Sequence, residues 1–188
     1  MNKRRYILFS ILSILACHLV MASGQNKMIN VTDMGARPDD GKDDTRALRR
    51  AVAYACEHPG TTLYFPKGIY ELKDKEAIAL ETKVLNGEMG ENPEKVIYTP
   101  YYPYVKGLDF TGAKQVTVWA NQATLLCEGW MEPISLDQCE DVTVKGITID
   151  YKRKPFVSGD IVEITSDYFD VQFGEDKIVT EKMPLTRM

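Results

Sequence analysis

The chain has 188 residues, 44% of them hydrophobic, and its 27 acidic and 23 basic residues give a net charge of −4. An acidic chain without a long basic run argues against binding to nucleic acids or to anionic membranes. Only two histidines and four cysteines are present, so neither a histidine-built metal site nor a Ser-His-Asp triad is expected in this stretch.

The N-terminus has the pattern of a secretory signal peptide. Residues 3–5 are basic, residues 6–21 are largely apolar and residues 22–24 are small. We therefore expect cleavage before Gln25 and a secreted or periplasmic mature chain. About sixteen apolar residues are short for a membrane span. The alternative is a lipoprotein processing site at Cys17, which would anchor the chain to the cell surface.

Removal of residues 1–24 changes the inventory of reactive groups. The segment carries three basic residues and no acidic one, so the net charge moves from −4 to −7. His18 is lost, which leaves His58 as the single histidine. At most one disulfide can form among the three remaining cysteines, and their apolar neighbours predict buried thiols: Cys56, Cys127 and Cys139. We expect no metal and no cofactor.

A short strand and an amphipathic helix are predicted next. Residues 29–33 have strand character, and residues 34–41 form a polar turn. Residues 43–45 offer N-cap oxygens, and the helix stops at residues 59–60. Its apolar positions share one face: Leu48, Ala51, Val52, Ala55 and Cys56. Such a helix is suited to covering the apolar end of a stack of coils.

Four aspartates precede this helix: Asp39, Asp40, Asp43 and Asp44. Their oxygens suit calcium, but their spacing lacks the ordered pattern of a dedicated calcium loop. The alternative is that they cap the helix and solvate the turn. We favour this structural interpretation because it gives each of the four residues a role.

The segments around these aspartates resemble a known signature. Residues 33–36, 39–41 and 43–48 are similar to the N-terminal pattern of the pectate-lyase-like β-helix superfamily. Residues 62–70 resemble its next motif, in which a strand ends in proline and a basic residue, with glycine before an aromatic. The resemblance implies the fold. It leaves the reaction open among polygalacturonases, rhamnogalacturonases and epimerase-like lyases.

Residues 73–105 are predicted to be an irregular insertion because glycine and proline recur in them. Four tyrosines crowd its end: Tyr98, Tyr101, Tyr102 and Tyr104. An aromatic face can pack on the C–H face of a pyranose. The same rings can equally pack the insertion against the rest of the fold, and both interpretations stay open.

The central pattern of the chain occurs twice. Residues 108–118 recur 26 residues later as residues 134–144, with an apolar residue answering each apolar residue. The alternation predicts two short strands per copy, with a corner at the small residues Ala113 and Cys139. A third strand follows each copy, at residues 123–126 and 147–150.

Three short strands per turn are typical of a right-handed parallel β-helix, whose coils bury their apolar faces by stacking. We expect an all-β, pectin-lyase-like β-helix with an N-terminal capping helix over residues 25–160, then a small β insertion or the start of a second β element over residues 161–188. Two hairpins of a β-sandwich are the alternative. The last coil lacks a visible C-terminal cap before Met188, so we expect an incomplete fold, the N-terminal part of a larger enzyme.

The candidate substrate-binding residues are Asp150, Tyr151 and Arg153, in a charged segment that ends the last strand. The planar guanidinium of Arg153 suits a carboxylate or sugar hydroxyls. The alternative is a solvated corner whose charges keep the stack soluble. Asp137 and Asp141 are near enough in sequence to pair with Asp150, but they occupy a corner that repeats an earlier one, which indicates turn residues.

Residues 133–151, with Pro155, Phe156 and Gly159, resemble the early coils of the α-1,3-galactosidases of glycoside hydrolase family 110. That resemblance implies an inverting enzyme that removes terminal α-galactose from a glycan substrate. Inversion uses two carboxylates roughly 6.5–9.5 Å apart. In that family they lie on later coils, so the catalytic residues are expected beyond Met188. The alternatives are a polygalacturonase or polysaccharide lyase, and a non-catalytic glycan-binding β-helix.

Overall fold

The structure is a computed structural model that describes residues 27–175 and Val179. The predicted signal peptide and the site at Cys17 lie outside the described residues. In the described part, no helix is long and apolar enough to cross a membrane. The elements, in chain order, are β1 (Lys27–Asn30), α1 (Thr45–Glu57), β2 (Thr61–Phe65), β3 (Gly68–Lys73), α2 (Lys75–Leu85), α3 (Glu94–Ile97), β4 (Lys106–Asp109), β5 (Lys114–Glu128), β6 (Glu132–Ser135), β7 (Glu140–Tyr151), β8 (Asp160–Ile164) and β9 (Phe169–Gln172).

The strands before residue 152 pair in parallel. In the larger sheet β1 pairs with β2, both β2 and β3 pair with β5, and β5 pairs with β7. In a second sheet β4 pairs with β6. Leu108 lies opposite Ile134, and Val116 lies opposite Val142, which is the spacing at which the pattern recurs in the sequence. Parallel strands of this kind fit a β-helix, whereas a closed solenoid stays a prediction.

The predicted second and third strands of each coil are continuous in the structure. β5 runs from Lys114 to Glu128, and β7 from Glu140 to Tyr151, so each joins two strands that the sequence predicted as separate. The register between them shifts between Trp119 and Ala123. Local irregularity there turns the chain without ending the ladder.

Helix α1 and the strands share one core. The predicted apolar face of α1 is buried at Leu48, Ala51, Val52 and Ala55, and Cys56 packs against it. The largest strand side chains in this core include Leu63, Phe65, Tyr70, Leu72 and Leu108, and Phe110 joins them just after β4. The cysteines at 56, 127 and 139 are free thiols. That α1 closes the end of the stack stays a prediction.

The first strand ends earlier than the sequence suggested. β1 stops at Asn30, where the side chain Oδ1 accepts a hydrogen bond from the Thr32 amide at 3.0 Å. The next residues, Val31–Met34, form a 3₁₀ turn. Side-chain capping of this kind competes with strand pairing, so the strand predicted over residues 29–33 was wrong beyond Asn30.

The prediction of an irregular insertion over residues 73–105 was wrong for its first part, which forms α2. Asp74 Oδ1 caps this helix by accepting from the Glu76 amide at 2.9 Å. Its buried residues recur at helical spacing and belong partly to a second core cluster: Ala77, Leu80 and Val84. That second cluster also contains Ile97 and Trp130.

Beyond the parallel strands, β8 and β9 form an antiparallel hairpin in which Asp160 pairs with Gln172. The hairpin lies within the region where alternating apolar residues predicted a small β insertion. The division of the chain at residue 160 stays a prediction.

Candidate functional site

Asp150 is the most open of the three predicted binding residues. It lies near the end of β7, opposite Leu126 of β5, and its side chain is half exposed. Its Oδ1 accepts a hydrogen bond from the Tyr151 amide at 2.8 Å and lies 3.9 Å from Lys154 Nζ. The carboxylate therefore keeps accessible acceptor capacity for a ligand.

Tyr151 is already engaged in the fold. Its ring packs against both core clusters. Its hydroxyl donates to the Met131 carbonyl oxygen at 2.8 Å, and burial raises its pKa to about 12. This hydrogen bond ties the end of β7 to the connection between β5 and β6. Tyr151 can thus position its neighbours in sequence, Asp150 and Lys152, while its own hydroxyl is taken.

Arg153 lies between the sheet and helix α2. Its Nε is 3.4 Å from Glu81 Oε1, and its carbonyl oxygen accepts from Trp130 Nε1 at 3.2 Å. Burial raises the pKa of Glu81, and the charge of Arg153 opposes that rise. The Nη1 atom of Arg153 is buried and has no hydrogen-bond partner among the described residues. An unpaired buried donor is costly, so a ligand oxygen that reached it would relieve that cost.

A ladder of four charged side chains flanks this segment, and sequence reasoning missed it: Glu71, Lys73, Glu128 and Lys152. Glu71 Oε2 is 2.9 Å from both Lys73 Nζ and Lys152 Nζ, and Glu128 Oε2 is 3.0 Å from Lys152 Nζ. Hydrogen bonds from the two lysines lower the pKa of Glu71. The sequence does show opposite charges two residues apart in β3, at Glu71 and Lys73. It does not show that β3 pairs with β5, which places Lys73 opposite Glu128.

The tyrosines of the insertion divide between packing and exposure. Tyr98 donates its hydroxyl to the Pro155 carbonyl oxygen at 2.9 Å, and its ring lies 6.5 Å from that of Phe156. Tyr104 donates to the Ile97 carbonyl oxygen at 2.7 Å. Tyr101, by contrast, is 91% exposed, and Phe156 is 69% exposed. Phe156 therefore lies exposed just after the charged segment, and the half-exposed ring of Tyr98 packs beside it from the insertion.

The aspartates before α1 hold the turn together. Each accepts a hydrogen bond from a backbone amide: Asp39 from Ile69, Asp40 from Lys42, Asp43 from Thr45 and Asp44 from Arg37. Burial raises the pKa of Asp44. Within the described ranges, no group of three or more His, Cys, Asp or Glu side chains is placed to hold a metal ion. These contacts agree with the structural interpretation of the cluster.

The two corner aspartates have backbone roles. Asp141 has a left-handed backbone with φ of 56°. The carbonyl oxygen of Asp137 accepts a hydrogen bond from the Gly112 amide at 2.8 Å. Asp137 lies just before β7 and Asp141 lies at its start, so neither stands out as one of a catalytic pair.

Comparisons with known proteins place this arrangement in a family. The profile of the rhamnogalacturonase A/epimerase, pectate lyase-like family matches residues 28–153. The chain is 26% identical over 147 residues to α-1,3-galactosidase B of Bacteroides thetaiotaomicron, covering 78% of this chain and 22% of that protein. It is 27% identical over 181 residues to α-1,3-galactosidase A of Shewanella woodyi, covering 92% of this chain and 28% of that protein.

A third relative is named as a different kind of enzyme. Alginate lyase 7 of Azotobacter vinelandii is 26% identical over 151 residues, covering 80% of this chain and 16% of that protein. The chain spans about a quarter of the length of the two galactosidases it matches. The family profile covers every parallel strand except the first residue of β1. The chain belongs to the rhamnogalacturonase A/epimerase, pectate lyase-like family.

Proposed function

We propose that this chain works as the N-terminal part of an exported glycoside hydrolase that removes terminal α-galactose from glycans with inversion. The observation that carries this proposal is the similarity to two proteins named α-1,3-galactosidase over most of the chain. The half-exposed Asp150 and the exposed rings of Tyr98 and Phe156 support it, because carboxylate oxygens bind sugar hydroxyls and aromatic faces bind sugar C–H faces.

The proposal divides binding from catalysis. Asp137 and Asp141 serve corners, and Tyr151 is engaged in the core, so the described residues offer no clear pair of acid and base. We assign the two catalytic carboxylates to residues that follow Met188 in a longer protein. Asp150 and Arg153 contribute to substrate binding, and Tyr151 positions them.

The test is an assay of the full gene product beside this chain alone, on glycans with terminal α-1,3-linked galactose, with anomers followed by NMR. We expect β-galactose as the first product of the full protein and no release by this chain alone. Asp150→Asn should raise KM with little change in kcat, whereas Asp167→Asn in the distant β8–β9 turn should change neither. Release of α-galactose contradicts inversion, and no release contradicts the hydrolase.

The similarity to an alginate lyase favours one second candidate, a polysaccharide lyase acting on uronate polymers. Such an enzyme leaves an unsaturated uronate at the new chain end. If the full protein is a lyase, ultraviolet absorbance should rise when it is incubated with alginate or pectate. Glycan binding without either product would instead support a non-catalytic β-helix.

Export is part of the proposal and has its own test. Cleavage before Gln25 predicts a mature N-terminus at that residue after expression in a secreting host. Labelling with a lipid precursor at Cys17 would instead establish the anchored form, and Cys17→Ser would abolish that labelling.

A further inference from the structure

Two rows of side chains cross four parallel strands on one face of the larger sheet. Strand pairing aligns the first, here called the aromatic row: Asn30, Tyr64, Trp119 and Lys145. Two residues earlier on each strand lies the threonine row: Met28, Thr62, Thr117 and Thr143. The residues between the rows pack in or against the core, so both rows belong to the opposite face: Ile29, Leu63, Val118 and Val144.

The aromatic row places an exposed tryptophan ring beside a tyrosine ring on the face of the sheet opposite the core. Trp119 is 43% exposed, whereas the other tryptophan, Trp130, is 5% exposed. The ring centroids of Tyr64 and Trp119 are 5.3 Å apart, and the planes are tilted by 57°. Lys145 Nζ is 5.8 Å from the Trp119 ring. Trp119 is thus an exposed ring beside the partly buried Tyr64, and exposed apolar groups rimmed by polar residues mark binding surfaces.

The chemistry of the rows matches a sugar chain. Aromatic faces pack on the C–H faces of pyranose rings. Threonine hydroxyls both donate and accept hydrogen bonds, and two residues along a strand place them about 7 Å from the rings. Neither row contains a carboxylate. We propose that the aromatic and threonine rows form a binding platform for a neutral glycan chain.

The platform is distinct from the candidate substrate site. It lies on β5 and β7 before the register shift at Trp119, whereas Asp150 and Arg153 come after it. Two rings beside threonines offer too little apolar surface for a stable protein partner, which buries about 800 Å² per side. A single-stranded nucleic acid also stacks on aromatic rings but requires a positive groove, which this acidic chain does not favour. The platform goes beyond the proposed hydrolase because it requires no catalytic step.

The test measures binding without turnover, so its failure leaves the galactosidase assay unaffected. The chain is run on native gels that contain galactomannan, mixed-linkage β-glucan or, as a polyanion, alginate. Acrylamide quenching of tryptophan fluorescence is recorded with each soluble polysaccharide, and the buried Trp130 serves as the internal reference. We expect retardation by a neutral polysaccharide and protection of Trp119 from the quencher.

Variants link the result to the rows. Trp119→Ala should weaken binding at least tenfold, and Trp119→Phe should restore part of it because an aromatic face remains. Thr143→Val should weaken binding several-fold. Tyr101→Ala removes a ring elsewhere that is more exposed than Trp119, and it should leave binding unchanged. The platform is overturned if the Trp119→Ala variant is retarded as strongly as the parent, or if Tyr101→Ala loses as much binding as Trp119→Ala. It is also overturned if alginate alone retards the chain or if no polysaccharide does.

Discussion

Gln115 and Asp141 hold the same left-handed backbone conformation on the paired strands β5 and β7, with φ of 53° and 56°. Each lies between two register pairs of β5 and β7, Lys114 with Glu140 and Val116 with Val142. The chain therefore enters β5 and β7 with the same backbone turn. Asp and Asn tolerate this conformation, but a β-branched residue does not.

Asp141→Val should lower the free energy of unfolding by about 1–2 kcal/mol, because the branched side chain is strained at positive φ. Asp141→Asn should leave it within about 0.5 kcal/mol of the parent. Urea unfolding followed by circular dichroism measures both. Thr143→Val, on the same strand with ordinary backbone, is the matched control and should be neutral. Equal stability of Asp141→Val and Asp141→Asn would show that the backbone at residue 141 can leave the left-handed conformation without cost.

Substitutions at Gly146 and Gly112 distinguish two costs of adding a side chain, namely backbone strain at positive φ and steric clash of the new Cβ. Both have positive φ, 77° and 74°. A Cβ at Gly146 would clash with the Ala120 carbonyl oxygen of the neighbouring strand β5, whereas a Cβ at Gly112 meets nothing within 4 Å. We expect Gly112→Ala to cost about 1 kcal/mol from strain alone. Gly146→Ala should cost on the order of 3 kcal/mol or more in urea unfolding. Similar losses would argue against close stacking here.

The sequence predicted the features that depend on local periodicity. The apolar face of α1 and the corner at Ala113 follow from patterns within a dozen residues, and the register of β5 with β7 follows from the recurrence of one such pattern 26 residues later. Helix α2 was missed because the glycines and prolines of its neighbours outweighed the cap at Asp74 and the helical spacing of Ala77, Leu80 and Val84.

The candidate site was harder to predict because its contacts join residues far apart in sequence. The pairing of Glu81 with Arg153 requires the missed helix, and the charged ladder requires β3 and β5 to pair across the insertion. Sequence reasoning identified Arg153 and Asp150 as charged residues at a strand end. It could not tell that the Asp150 carboxylate is half exposed whereas the Tyr151 hydroxyl is hydrogen-bonded to the Met131 carbonyl oxygen.

Asp44 should make stability fall as pH rises. Burial raises its pKa above 3.8 in the folded chain, so the folded state holds a proton that the unfolded state has released. The resulting penalty is absent at low pH and complete once pH exceeds the folded pKa. Asp44→Asn keeps an oxygen for the Arg37 amide and cannot ionise. Its stability relative to the parent should therefore increase between about pH 3 and pH 7. A constant difference across that range would contradict the buried ionisable group.

Arg153 and Glu81 should be coupled in both stability and titration. Arg153→Ala leaves the largely buried Glu81 carboxylate without its cation, so we expect a loss of about 2 kcal/mol in urea unfolding. Because Arg153 opposes the raised pKa of Glu81, its removal should raise that pKa further, which carbon-detected NMR of the carboxyl group measures. Glu81→Gln combined with Arg153→Ala should lose less than the sum of the single changes. If the stability losses of the two single variants simply add and Arg153→Ala raises the KM for substrate, Arg153 binds the ligand and does not anchor helix α2. If they couple and KM is unchanged, Arg153 anchors the helix and Asp150 alone remains for binding.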